Sequence, residues 1–412
     1  MGCKQNVLGT VMAALASLAA LWAPPALAQT PSVIKIGVLN DMSGVSANIS
    51  GKGSVTAAQM AAEDFAAEAG PGAPKVEILS ADHQNKADVG AAIARGWIDR
   101  DGVIAVADVP NSAVALAVNQ VLREKDRAFL ASSSATSDLT GSQCAATTVQ
   151  WTFDTWALAN GTARAVSRQG GHKWFFIASD YALGASLVRD ASAVVKAEGG
   201  SVVGDLRAPL DVTDWSSYLL QAQASGADVI ATANAGTDVV NTLKQAAEFG
   251  IGRDGRQRMV GLLVFLPDVE GMGLDVAQGL LLTEAFYWDL NDKTRTWTKR
   301  FAARSGGRVP TMNHAGVYSE TLAFLRAAKD AGTASGAALV ARMKAAPIDD
   351  PLFGPTTIRT DGRAMHAMYL FRVKVPAASK GPFDLYDLVA TIPAEQAFRP
   401  MAEGGCPLVA KP

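Results

Sequence analysis

The chain has 412 residues, with 37 basic side chains against 39 acidic ones and a net charge of −2 when histidine is neutral. That balance leaves no basic footprint for nucleic acid and no polybasic patch for a membrane surface. Nearly half the residues, 49%, are hydrophobic, which is ample for a large buried core.

Residues 1–28 have to be set aside before the fold is considered. Lys4 is their only charge, VLGTVMAALASLAALWA is weakly polar to apolar, Pro24 and Pro25 break any helix, and Ala26-Leu27-Ala28 has the A-x-A cleavage pattern. A cleaved secretory signal peptide is expected, and with it a periplasmic protein. The apolar run is shorter than the roughly 20 residues of a spanning helix, which argues against a retained anchor. Gln29 follows the cut where a lipoprotein would need cysteine. Removing the leader costs one lysine and no acid, so the chain stays slightly acidic. What remains, about 380 residues, suggests two domains, and no further stretch is long enough to cross a bilayer. Cys144 and Cys406 are the cysteines left. In an oxidising compartment they are expected to pair, with two free thiols as the alternative. Neither has the spacing of a zinc site.

Short aliphatic runs alternate with amphipathic ones along most of the chain. IKIGVL, KVEILSA, VIAVADV, RAFLAS, VQWTF, KWFFIAS, SVVGDL, DVIATAN and MVGLLVFL read as strands. Between them, segments such as TAAQMAAEDFAAEA, AVALAVNQVLREK and TDVVNTLKQAAEFG repeat apolar residues at three and four, the helical period. This βαβ alternation predicts largely parallel sheets covered by helices on both faces. After LLLTEAFYW the pattern turns to helices, then to a hairpin-like TTIRTDGRAMHAMY with Asp361-Gly362 at its turn, and a strand YLFRVKV. The Pro- and Gly-rich remainder from Pro376 reads as a tail packed on the surface.

Several strands end in polar turns just before a helix: Asn40 to Gly44, Pro110 to Ser112, Ser132 to Thr136, Ser179 to Tyr181, and Ala233 to Gly236. In open α/β sheets ligands bind outside the carboxyl ends of the strands, where helix N-termini favour anions. The same residue types also cap helices without binding anything.

The order and spacing of these segments resemble the type I periplasmic solute-binding proteins of ABC importers, of the leucine/isoleucine/valine-binding family. The resemblance runs through IKIGVLNDMSG, ADHQNKADVGAAIARGWIDRDGVIAVADVPNSAVALAV, FLASSSATSDLTG, FFIASDYALGASLVRDASAVVKAEGGSVVG, DWSSYLLQAQASGADVIATANAG and FGPTTIRTDGRAMHAMYLFRVK. It implies two Rossmann-like α/β lobes joined by three hinge crossings. The first lobe would take 32–153 and 284–364, and the second 154–283 and 365–412. Crossings are expected at Thr152 to Thr155, Thr283 to Ala285 and Arg363 to His366.

By the same resemblance a ligand carboxylate is held by Asn111 and Ser112 after the third strand and by Ser133, Ser134, Ala135 and Thr136 after the fourth, with Ile49 nearby. Asp180, Tyr181, Asn234, Ala235 and Gly236 face it from the second lobe, with Phe265 closing the pocket. Relatives that bind amino acids meet the ammonium with carboxylates, where this chain offers Ala157 and Leu263 to Phe265. Unless Asp154 or Asp180 substitutes, the ligand should lack an α-amino group, since an unpaired buried ammonium is costly. Trp156, Tyr181, Phe265 and Tyr287 are candidate pocket walls, with core packing as the plainer account of Trp156 and Tyr287.

Catalytic motifs are lacking. Gly51-Lys52-Gly53-Ser54 has Ser46 where a P-loop needs its first glycine and Gly53 where it needs Ser or Thr. There is no G-x-S-x-G elbow. His83, His172, His314 and His366 are scattered, with no metal-ligand spacing. The chain is therefore read as a non-enzymatic, monomeric binding protein without cofactor or metal. It would carry an aromatic or apolar organic acid, or next an amino acid, to ABC permease subunits. A sensor subunit binding a similar ligand is the alternative.

Overall fold

A computed structural model describes residues 33–252 and 255–410; the expected leader lies outside them. The first series runs β1 (Val33–Asn40), α1 (Gly51–Ala69), β2 (Lys75–Asp82), α2 (Ala87–Gly96), β3 (Ala105–Asp108), α3 (Ser112–Glu124), β4 (Ala128–Ala131) and β5 (Thr148–Gln150). These strands form one parallel sheet in the order β2-β1-β3-β4-β5. Every residue of β3, β4 and β5 is buried, because helices cover both faces, and this is why their apolar runs do not alternate. Ala57, Ala61 and Phe65 of α1 pack on one face, and Val114, Val118 and Leu122 of α3 on the other.

A second series follows: α4 (Thr155–Arg168), β6 (Lys173–Ser179), α5 (Ala182–Ala197), β7 (Ser201–Ala208), α6 (Ser216–Ala224), β8 (Val229–Ala233), α7 (Thr237–Glu248), β9 (Arg258–Gly261), α8 (Leu266–Met272) and α9 (Leu274–Ala277). Its sheet is also parallel, in the order β7-β6-β8-β9. In both sheets the first strand of the series is flanked by its second and third, which places a topological switch point at its carboxyl end.

After β10 (Leu281–Glu284) the chain returns to the first lobe with α10 (Asp292–Ala302), α11 (Met312–Ala328) and α12 (Gly336–Lys344). Helix α11 lies along α1, where Tyr318 donates to Asp64 at 2.7 Å. Arg304–Glu63, Arg300–Asp64 and Arg326–Glu68 pairs line the same seam; being part-exposed, each adds little. A small antiparallel sheet of β11 (Ile348–Asp350), β12 (Gly354–Ile358) and β13 (Ala364–Met365) contains the expected hairpin, with Gly362 at φ 89° in its loop. The last elements are β14 (Met368–Val373), β15 (Tyr386–Ile392) and α13 (Ala394–Ala397).

Three details depart from the sequence reading. MVGLLVFL is not one strand: β9 stops at Gly261, and Phe265 donates its amide to Asp268 at 2.9 Å to open α8. The tail from Pro376 contains β15, which pairs antiparallel with β14 in the sheet β10-β14-β15. The end of the tail, thirdly, is tied to the first lobe and does not merely pack on the surface. Arg399 donates to the Ser137 carbonyl at 3.1 Å, Arg359 donates to the Arg399 carbonyl at 2.9 Å, and Cys406 is disulfide-bonded to Cys144.

At the second crossing, the buried Glu284 accepts a hydrogen bond from the Tyr386 hydroxyl at 2.9 Å. Burial pushes its carboxyl up to about 8, opposed by that hydrogen bond and reinforced by Asp268.

Two outcomes follow from this fold. The disulfide closes a separation of 262 residues, so Cys144→Ser with Cys406→Ser should lower unfolding free energy by about 2–5 kcal/mol, read from urea transitions with an unchanged far-UV spectrum. For Glu284, the unfolded chain ionises near 4.5 while the folded chain holds the proton to about 8. The stability it contributes is therefore complete below the lower value and drains away as pH rises through the upper one. Glu284→Gln should remove a few kcal/mol of this pH dependence, measured as urea midpoints at about pH 5 and about pH 8.

Candidate ligand-binding cleft

Turns at the carboxyl ends of the first sheet meet the second lobe, Val45 against Gly236 and Thr136 against Ser186. Asp41 shapes the loop after β1 by accepting from the amides of Gly44 at 2.6 Å and Ser46 at 2.8 Å, and from Asn85 Nδ2 at 2.8 Å. This carries Val45 to the opposite lobe, where Gly236 sits at φ 59° with no room for a Cβ against the Val45 carbonyl. A side chain there would be strained and would wedge the lobes apart. Nearer the hinge, Thr136 Oγ1 and Ser186 Oγ are 2.7 Å apart, and Asp190 Oδ2 accepts from Ser137 and Thr155 hydroxyls at 2.6 Å each.

The predicted cradle residues divide by what their polar atoms already do. Ser134 donates its hydroxyl to the Val109 carbonyl at 2.6 Å and so joins the turns after β3 and β4. Asn111 caps α3, its Oδ1 accepting from Ala113 and Val114 amides at 3.0 and 3.2 Å. Thr136 is committed to Ser186 and to the Asp138 amide. Ser112 and Ser133 differ: both are buried and neither hydroxyl makes a well-formed hydrogen bond, Ser133 having only the Asp108 carboxyl beside it. Leaving a buried hydroxyl unpaired costs about 1–3 kcal/mol, a penalty that an arriving acceptor relieves.

Ala135 and Ile49 offer carbonyls that are already bonded, to Thr155 N at 2.7 Å and Thr311 Oγ1 at 2.7 Å, so their side chains are what they present. Ile49, Ala135, Phe153, Ala235, Leu263 and Phe265 belong to one apolar cluster, with Tyr181 packed on its edge. Phe265 meets Phe153 edge-on at 5.4 Å, the favoured aromatic geometry. On the second lobe Asn234 gives Nδ2 to Thr242 Oγ1 at 3.0 Å and keeps an unpartnered Oδ1. The half-buried Tyr181 lies near both Asp238 and Asp41, and burial raises its phenol well above the ordinary value.

Other predicted residues stand apart. Asp180 is exposed. Asp154 caps α4 through the Ala157 amide at 2.7 Å and lies 3.6 Å from Arg363. Asp154 is thus committed within the protein, while Asp180 faces solvent. Tyr287 is core, stacked near Tyr386 with centroids 4.9 Å apart, and Trp156 is half-buried with Arg399 near its ring.

Two buried acids escaped the sequence reading. Asp108 ends β3 beside Ser133, and Glu320 of α11 adjoins Ser132. Asp108 was visible as a lone charge inside VIAVADV, a run apolar on both faces. Asp238, at the start of α7, is buried as well; its Oδ2 accepts the Asp211 amide at 3.3 Å while Oδ1 has no partner.

The family profile of the periplasmic binding proteins matches residues 33–382. A Leu/Ile/Val-binding protein homolog of Brucella melitensis is 27% identical over 269 residues, 64% of this chain and 67% of that one. A periplasmic binding protein of Burkholderia mallei is 43% identical, with a TM-score of 0.87 over 92% of this chain and 99% of its own. A branched chain amino acid ABC transporter periplasmic ligand-binding protein of Burkholderia xenovorans is 39% identical, with a TM-score of 0.80 over 91% and 99%. Solute-binding proteins of Rhodopseudomonas palustris in complex with benzoate and with 4-hydroxybenzoate share the fold at TM-score 0.76 each and at 18% and 23% identity, covering 88% of this chain and 97% of theirs. Two parallel-sheet lobes meeting at their strand ends, and a profile match along most of the chain, place this protein in the periplasmic binding protein family, whose members bind solutes for ABC transporters.

Proposed function

We propose that the protein is exported by its leader, captures a small aromatic or apolar organic acid between its lobes, and delivers it to an ABC permease. The lobes are taken as 32–153 with 284–364, and 154–283 with 365–412, the Cys144–Cys406 disulfide tying the end of the second to the first. The observation that carries this reading is the pair of buried hydroxyls of Ser112 and Ser133 on adjacent turns, neither in a well-formed hydrogen bond, with the apolar Ile49, Ala135 and Phe265 clustered among the predicted site residues. Two hydroxyl donors suit a carboxylate, and hydrogen bonds to an ionised acceptor are about twice as strong as neutral ones. The apolar wall suits a ring or aliphatic body. Asn234 Oδ1 would accept from a hydroxyl at the ligand's far end. The benzoate complexes of the Rhodopseudomonas palustris proteins are in keeping with this class.

An amino acid is the second reading, and one observation favours it. Asp238 has an unspent carboxylate oxygen near Tyr181 that an ammonium would satisfy.

Calorimetry on the mature chain with benzoate, 4-hydroxybenzoate and leucine tests these readings. A benzoate is expected to bind at about micromolar Kd. Ser112→Ala with Ser133→Ala should weaken it at least tenfold, about 1.4 kcal/mol. Gly236→Val should abolish tight binding by blocking closure while leaving the fold intact by circular dichroism. Unchanged affinity in the serine double variant would reject the cradle, and leucine bound in preference to both benzoates would favour the second reading.

A further inference from the structure

Asp108 occupies a position where a carboxylate is hard to justify by packing alone. It ends a strand buried on both faces, has no exposed surface, and neither of its oxygens has a well-formed hydrogen bond, although the side chains of Ser133, Ser54, Asn40 and Ser50 stand close enough to oppose the effect of burial. Its backbone lies at φ 82° and that of Val109 at 56°, two successive left-handed residues, the second β-branched. Such strain persists where the surroundings enforce it, and it concentrates at functional sites. Here the surroundings are the cradle itself: the Asp108 carbonyl accepts the Ser133 amide at 3.4 Å, and the Val109 carbonyl accepts Ser134 Oγ.

The groups around the Asp108 carboxyl are almost all neutral. Asn40 comes from β1, Ser50 and Ser54 from α1, and Ser133 from the turn after β4. From α11 comes Glu320, which burial raises well above the ordinary value; His314 of the same helix is bonded to the Ser50 carbonyl and held down at about 4 by burial. Arg363 acts on Glu320 but spends its donors on the carbonyls of Trp151, Phe153 and Ala364.

A serine hydroxyl carries one proton. Beside an ionised acid, Ser133 gives that proton inward and shows only lone pairs to the cleft. Beside a neutral acid it accepts from the carboxyl and can turn its own proton outward. We propose that Asp108 is a specificity-determining residue of the cleft, whose neutral carboxyl donates to Ser133 Oγ so that Ser133 can donate to a ligand carboxylate, with one proton taken up from solvent on binding. The bound site then holds one negative charge, the ligand's, where an ionised Asp108 would make two. This inference rests on the cleft being a carboxylate site.

Burial already brings Asp108 to about 6 in the free protein, and an adjacent anion raises it further. Affinity is therefore full below about 6 and falls roughly tenfold per pH unit above it, until the value in the complex is reached.

The test is calorimetry of the mature chain with benzoate, 4-hydroxybenzoate and leucine, in buffers of different ionisation enthalpy and between about pH 5.5 and about pH 8. About one proton should be taken up per bound acid near pH 7.5, with the matching rise in Kd. Asp108→Asn, which keeps a donor and tolerates the left-handed backbone, should bind with no proton uptake from this group and a flat pH profile. Asp108→Ala should weaken binding at every pH. Wild-type binding without proton uptake, or a slope that survives in Asp108→Asn and disappears in Asp238→Asn, would overturn the assignment. Failure of all three ligands to bind at any pH would overturn the carboxylate reading of the cleft, and this inference with it.

Discussion

The junction between the lobes depends on the placement of one guanidinium in a site with no exposed surface. Arg363, on the third crossing, donates to the carbonyls of Phe153 at 2.9 Å and Ala364 at 3.0 Å and also to that of Trp151. The Phe398 ring lies 4.4 Å from its centre. Burial lowers it to about 10 against the pull of Asp154, so it stays charged at neutral pH. A buried charge is tolerated only when it is paired and its donors are used, and here the acceptors belong to the first crossing. Asp154 joins the same point to α4 by capping that helix. Two crossings are thereby pinned side by side, which leaves rotation about them, and not sliding, as the easy relative motion of the lobes.

Pinning at the hinge determines what the far turns do. The helices on both faces of each parallel sheet force its loops to the ends, and the pinned crossings set the two sets of ends facing one another. Neutral groups dominate where they meet. Ser112 and Ser133 contribute hydroxyls, and the buried acids Asp108 and Glu320 are pushed toward their uncharged forms by burial. On the proposed reading, an anion held by such donors would keep its charge without a countercharge, at the cost of desolvation, and the site would select by the direction of each hydroxyl proton.

That directional information is the part a sequence does not carry. The βαβ alternation, the turns at the strand ends and the cysteine pair were all legible, since they follow from periodicity, composition and compartment. The run Ser132 to Thr136 was legible as a polar turn, but residue type alone could not tell which hydroxyls were free. Ser134 points back to Val109 and Thr136 crosses to Ser186, while Ser133 lies beside Asp108; the left-handed backbone at Asp108 and Val109 that accompanies this arrangement is announced by no spacing. β15 was missed because its side chains from Asp387 to Thr391 are exposed, so there was no buried face to imprint a pattern. MVGLLVFL misled for the opposite reason: Leu262 to Phe265 are buried in a turn as fully as a strand would be.

The tail adds a constraint on how the lobes can open. It leaves β15 on the second lobe, passes α13, whose Gln396 carbonyl accepts from Asn160 of α4, and reaches the first lobe at Arg399 and Cys406. This segment crosses beside the Arg363 pin, with Phe398 packed on both Arg363 and His366. If the lobes turn about the Arg363 pin, as the proposed function requires, the strap beside it would lengthen little while Val45 and Gly236 would part. On that reading the disulfide would hold the lobes together beside the hinge, and the Val45–Gly236 contact, without room for a Cβ, would mark the closed end of the movement.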